Sequence, residues 1–121
     1  MAILIDTHIV IWLATGDARL AADRISLLEA DDVLISAASV WEISIKQAIG
    51  KLDVPEAFLD DVENLEATML PITASHARAA GQLPLHHADP FDRMLVAQAR
   101  TERLRLMTND RRIARYDVEV V

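Results

Sequence analysis

Cysteine is absent from all 121 residues, which excludes disulfides, thiolate metal sites and a cysteine nucleophile together. Glycine and proline are scarce, three and four residues, and they are scattered singly, so neither a flexible linker nor a low-complexity tract is present. Two Trp, one Tyr and two Phe are too few to build a stacking platform for single-stranded nucleic acid. Basic residues are outnumbered as well. Twelve Lys and Arg face nineteen Asp and Glu, and a net charge of −7 argues against gripping nucleic acid through bulk charge. Long apolar runs are missing: the uncharged stretches 7–16 and 33–41 fall far short of the ~18 residues of a membrane helix. The first residues carry no basic segment, and Asp6 cuts their apolar run short. A cytoplasmic, soluble chain without a signal peptide or membrane contact is the expectation.

What is present is aliphatic: 52% of the residues are hydrophobic. The length suits a single domain, 1–121, burying roughly two-thirds of its unfolded surface. Ala2-Ile3-Leu4-Ile5 and Val33-Leu34-Ile35 are short, fully apolar runs of the kind found in strands buried on both faces. Met69-Leu70, Leu104-Arg105-Leu106-Met107 and residues 118–121 are further strand candidates. Between them the spacing of apolar residues is helical over 7–14, 18–30, 38–49, 56–67, 73–81 and 89–103, with Gly16, Gly50 and Gly81 placed to end helices. Strands alternating with helices predict an α/β fold, three α/β/α layers around a short parallel sheet. In such a sheet ligands bind at the carboxyl ends of the strands. The helix 38–49 has apolar residues nearly all round, which fits a surface packed against a partner as well as a core position.

Four acids stand where a strand hands over to a helix: Asp6, Glu42, Asp92 and Asp110. A parallel sheet brings such positions to one edge. Carboxylates crowded there raise one another's pKa unless a cation sits among them, and an all-oxygen site selects Mg²⁺ or Mn²⁺ over zinc. Each acid taken singly also has a plain structural role. Asp89-Pro90-Phe91-Asp92 is a helix start, with Asp89 as cap and Asp92 at the positive end of the dipole. Ser39 and Glu42 have capping-box spacing, and Glu42 can pair with Lys46 one turn on. His8, His76, His86 and His87 do not make a zinc site by pattern. No helical His-x-x-x-His occurs, and the adjacent His86 and His87 cannot both face one site from a regular element.

The acids belong to longer strings: Leu4-Ile5-Asp6-Thr7-His8, Ser36-Ala37-Ala38-Ser39-Val40-Trp41-Glu42-Ile43, Leu83-Pro84-Leu85-His86-His87-Ala88-Asp89-Pro90-Phe91-Asp92-Arg93 and Thr108-Asn109-Asp110. In that order they resemble the VapC toxins of the PIN-domain ribonuclease family, along essentially the whole chain. The resemblance implies a Mg²⁺-dependent endoribonuclease (Mn²⁺ as substitute), the toxin of a type II toxin–antitoxin pair. It implies a homodimer and a cognate VapB-like antitoxin. Asp6, Glu42 and Asp92 would form the metal site, with Asp110 as a more variable fourth acid and Thr108 as an assisting hydroxyl. Two other functions stand beside it. A receiver-type signalling domain is also short, α/β, acidic and Mg²⁺-binding, but needs paired acids after the first strand and a late Lys, and no Lys follows Lys51. A catalytically silent PIN-like partner-binding module is the other. The charge itself is uneven: residues 93–115 hold seven arginines against Glu102 and Asp110, a local +5. Arg93 and Arg100, seven residues apart on one helix face, are the candidate RNA contacts.

Overall fold

A computed structural model describes residues 2–121. In chain order the elements are β1 (Ile3–Ile5), α1 (Thr7–Thr15), α2 (Ala22–Ala30), β2 (Val33–Ser36), α3 (Ala37–Ala48), α4 (Phe58–Glu63), β3 (Thr68–Leu70), α5 (Ala74–Gln82), α6 (Pro90–Glu102) and β4 (Arg105–Met107), then a short 3₁₀ turn, Ile113–Arg115. The four strands form one parallel sheet in the order β3-β2-β1-β4. Side chains alternate between its faces. Ile3, Ile5, Ile35 and Met107 pack under α1, α3 and α4 with Ile9, Ile43 and Val62, while Leu4 and Leu106 pack under α6 with Leu95 and Val96. This is the three-layer arrangement that the alternation of elements predicts.

The register fixes where function can sit. Ile5 of β1 lies beside Ile35 of β2 and Met107 of β4, so Asp6, Ser36 and Thr108 leave the sheet at one edge. The order of strands reverses between β1 and β4, and a crevice opens at such a reversal because the two connections diverge. Asp6 caps α1 through its Thr7 N–H (2.6 Å), and Asp89 caps α6 through the N–H groups of Phe91 and Asp92 (2.8 and 3.2 Å). Both helices therefore aim their amino ends at the crevice.

Several local expectations change. Residues 118–121 add only the bridge Leu106–Val120 to β4, because the Val118 N–H turns back to the Tyr116 carbonyl (2.9 Å). Gly81 lies inside α5, which stops at Leu83, whose extended backbone precedes Pro84. The cap of α3 is Ser36, which accepts from the Ala38 N–H (3.0 Å), and not Ser39, whose buried hydroxyl accepts from Thr7 instead. The helices expected over 18–30 and 56–67 shorten to α2 and α4. Arg103 ends α6 at φ 56°, a left-handed conformation that costs a side-chain-bearing residue about 1 kcal/mol. Arg103→Gly is expected to raise stability by roughly 0.5–1 kcal/mol in urea denaturation, the relief of strain outweighing glycine's chain entropy.

Candidate metal centre

The cleft at the β1–β4 reversal has a volume of about 190 Å³, and Asp6, Glu42, Asp89, Asp92 and Asp110 all line it together with His8 and Lys46. Four of those acids are the ones singled out by sequence. A larger groove, about 560 Å³, runs along the opposite, amino-terminal edge of the sheet among Leu28, Leu65, Asp31 and Asp32, and Asp31 there is already tied to Arg105 (2.9 Å). The small cleft is the one with converging charge.

Asp6 is 2% exposed. One oxygen accepts from its own helix, and Oδ2 accepts from the Thr108 hydroxyl (2.5 Å), with His8 Nδ1 3.4 Å away. Burial nonetheless pushes its pKa above the usual carboxylate range, outweighing the pull of Thr108 and His8, and Glu42 adds to the rise. Asp92, in the first turn of α6, is pushed up to about 7 by burial and then by the charges of Asp6 and Asp89. Asp110 behaves differently. Burial acts to raise it, but hydrogen bonds from the Arg112 backbone (2.9 Å) and side chain and from His87 hold it below the usual range. Thr108 orients both acids of its strand edge: its hydroxyl donates to Asp6 and accepts the Asp110 N–H (3.0 Å).

Glu42 supplies the most telling atom. Its Oε2 pairs with Lys46 (3.0 Å) as an i,i+4 pair, while the buried Oε1 has no hydrogen-bond partner. A buried carboxylate oxygen left unpaired costs free energy, on the order of 1–3 kcal/mol. Together with two neighbouring acids whose ionisation is disfavoured, it is the arrangement expected of an all-oxygen site completed by a hard divalent cation. The residues present fit such an ion.

The arginines do not lie as expected. The Arg93 guanidinium is held by the carbonyls of Ala80, Leu83 and Pro84 (2.8–3.0 Å) and reaches His87 O (3.3 Å), so it closes the α5–α6 connection and is withdrawn from any phosphate. Arg100 is exposed but lines a groove with Ala79 and Gln82, two turns beyond Asp92. A shared phosphate-binding face beside the acids is therefore not formed by this pair. Two residues outside the expected metal site also serve the cleft: Arg24, and His87, for which the sequence suggests only a loop shaping the approach. His87 Nε2 lies 2.9 Å from both Asp92 Oδ2 and Asp110 Oδ2. Arg24 of α2 donates to the carbonyls of Thr108 (3.0 Å) and Val121 (3.1 Å) and to Asn109, anchoring the loop that carries Asp110. Neither was visible by spacing, because the partners are a loop and a chain end distant in sequence.

The receiver alternative fails on topology and site: β3 is an edge strand that runs into Pro71 with no acid at its end, and no Lys follows Lys51. Comparison with known proteins points the other way. The chain is 29% identical over 115 residues to ribonuclease VapC22 of Mycobacterium tuberculosis (strain ATCC 25618 / H37Rv), covering 92% of this chain and 88% of the relative. Its fold is similar to chains in crystal structures of VapBC2 from Rickettsia felis bound to a promoter DNA fragment (TM-score 0.76, 15% identity, 100% and 98% of the two chains covered) and of DNA-bound VapBC from Salmonella typhimurium (TM-score 0.74, 20% identity, 100% and 97% covered). The PIN-domain family model matches residues 3–119, and the chain belongs to that family.

Proposed function

We propose that this protein is a metal-dependent endoribonuclease, the toxin of a type II toxin–antitoxin pair, and that Asp6, Glu42 and Asp92 hold its ion with Asp110 in support. The observation that carries the proposal is the unpartnered, buried Glu42 Oε1 in a cleft shared with two acids of raised pKa. Membership of the PIN family and the similarity to ribonuclease VapC22 support the reaction class. Neighbours solved as VapBC complexes support an antitoxin partner.

Bound Mg²⁺ or Mn²⁺ supplies Lewis acidity toward a phosphodiester and lowers the pKa of a water. The protein's own contribution is placement. Asp6 is fixed by the Thr108 hydroxyl and the α1 amino end, and Asp92 by the first turn of α6, so both carboxylates are held at the cleft where an ion would sit. Of the other polar residues lining the cleft, His8 and Lys46 stand against carboxylates and the Thr7 hydroxyl donates to Ser39 (3.0 Å), so the nucleophile in this reading is water. Lys46, which lines the cleft with a half-exposed side chain, offers a cation to an incoming phosphate, the role expected earlier of Arg93. Arg100 lies roughly 12 Å along the helix from Asp92 and serves only a flanking phosphate. The test is cleavage of RNA by the purified chain with Mg²⁺ present and after EDTA.

The protein acts in the cytoplasm as a homodimer, restrained by a VapB-like antitoxin. Trp41 and Ile49 of α3 are 61% and 60% exposed, and Trp41 packs edge-on against Phe91 (5.2 Å). Apolar side chains of this size on one helix face mark a contact surface. Trp41→Glu is expected to shift the chain from dimer to monomer, at least a tenfold weaker association in sedimentation, with the fold retained because the ring is not in the core. Among the described residues no helix is long and apolar enough to cross a membrane.

A further inference from the structure

His87 is a buried residue, 5% exposed, whose ring touches two acids of the cleft and which the proposed chemistry leaves without a task. Its backbone is clamped on both sides, the N–H by the Tyr116 hydroxyl (3.0 Å) and the carbonyl by Arg93 (3.3 Å). Its two ring nitrogens have different partners. Nδ1 accepts the backbone N–H of Asp89 (3.2 Å), which leaves Nε2 as the donor of the ring. That Nε2–H donates to Asp110 Oδ2 at 2.9 Å and lies at the same distance from Asp92 Oδ2. Asp92 comes from the start of α6 and Asp110 from the loop after β4, so nothing in the local chain joins them. Left to themselves the two carboxylates repel.

We infer that His87 is a positioning residue: an Nε2–H donor, oriented by the Asp89 amide on Nδ1, that gathers Asp92 and Asp110 into the metal site without ligating the ion. The inference rests on the metal-centre reading above. The spacing also admits another geometry, since Nε2 and one oxygen of each acid lie within 4.8 Å of one another, as three ligands would. Ligation needs a lone pair on Nε2, hence the proton on Nδ1, where the Asp89 N–H already points. A site using the carboxylates alone keeps that bond. His76 is built the same way far from the cleft, Nδ1 accepting from the Thr73 N–H (3.1 Å) and Nε2 meeting Glu102 (2.8 Å), and serves as an internal reference. By pinning one oxygen of each acid, His87 leaves the other oxygen of Asp92 to the ion. Partners that hold metal-binding side chains in this way affect affinity by about 10–100-fold when removed.

The test has two readouts besides activity. Long-range ¹H–¹⁵N spectra of the metal-free protein are expected to show His87 as the neutral Nε2–H tautomer, like His76, and to keep that proton when Mg²⁺ is saturating. An Nδ1–H tautomer, a doubly protonated ring, or loss of the Nε2–H signal with Mg²⁺ overturns the inference. Mn²⁺ binding followed by electron paramagnetic resonance is expected to weaken by about 10–100-fold in His87→Ala and to recover to within a few-fold in His87→Gln, whose amide N–H reaches the same region. Unchanged Mn²⁺ affinity in a folded His87→Ala also overturns it. If His87→Ala does not fold, the wild-type spectra decide. Wild-type protein that binds no Mn²⁺ contradicts the metal centre itself, while the tautomer result stands on its own.

Discussion

Asp92→Asn is expected to lower Mg²⁺-dependent RNA cleavage by roughly 10³-fold or more while making the metal-free protein more stable. The two effects have one cause. Asp92 sits among Asp6, Asp89 and Glu42, and its charge is disfavoured in the folded state, which is why its pKa is pushed up to about 7. Asparagine keeps the shape and removes that charge, so the metal-free fold is expected to gain about 1–3 kcal/mol at pH 7, read from urea midpoints in EDTA. The gain falls short of the full shift because the amide gives a weaker contact to His87 and loses the attraction of the α6 dipole. Catalysis needs the opposite of stability here: an ion held by ionised oxygens. Had Asp92 been only a helix-start residue, its replacement would cost about 0.5–1 kcal/mol and leave cleavage intact. A loss of metal-free stability with undiminished activity would decide for that simpler role.

The pH dependence of stability is expected to flatten with metal. In EDTA, Asp92 retains its proton in the folded state up to about pH 7, whereas the unfolded carboxyl loses it near the ordinary value of 3.8. The folded state therefore binds more protons between these values, and this contribution to stability, full below pH 4, is lost as pH rises through 7. Asp6, also raised, acts in the same direction. Asp110, held low, acts oppositely but completes its change at more acid pH. The expected loss is about 2–4 kcal/mol between pH 4.5 and 8. With Mg²⁺ at a hundred times its dissociation constant, binding adds roughly 2.7 kcal/mol, and it requires ionised carboxylates, so most of that loss is offset and stability then changes little with pH over the same range. Parallel urea titrations at four pH values, with EDTA and with Mg²⁺, check both slopes. Superimposable slopes would mean that no ion enters the cleft.

The sheet was legible because it is built from runs with no polar residue, Ile3-Leu4-Ile5 and Val33-Leu34-Ile35, that only a strand covered on both faces tolerates. The start of α6 was equally plain, since Asp89-Pro90 is both cap and first-turn residue. From a parallel sheet it follows that Asp6 and Asp110 share an edge, and so the acid cluster could be drawn without coordinates. What escaped depends on contacts between distant segments. A Ser36–Gln98 hydrogen bond (2.6 Å) helps set Ser36 rather than Ser39 at the start of α3. Arg93 reads as a surface charge until the α5–α6 connection turns its carbonyls inward. His86 and His87 look alike in sequence, but the turn sends one ring against Tyr116 (5.0 Å) and buries the other beside two carboxylates. Periodicity carries no information on such a turn.

In the proposed function, the cleft cuts RNA through a carboxylate-held divalent ion. The most direct measurement pairs purified wild-type chain with Asp6→Asn on one RNA, in Mg²⁺, after EDTA, and after Mg²⁺ is restored. Cleavage is expected from the wild type only when Mg²⁺ is present, with its return on restoring the ion, and none from the folded Asp6→Asn protein. Cleavage that survives EDTA, or that Asp6→Asn performs undiminished, would contradict it.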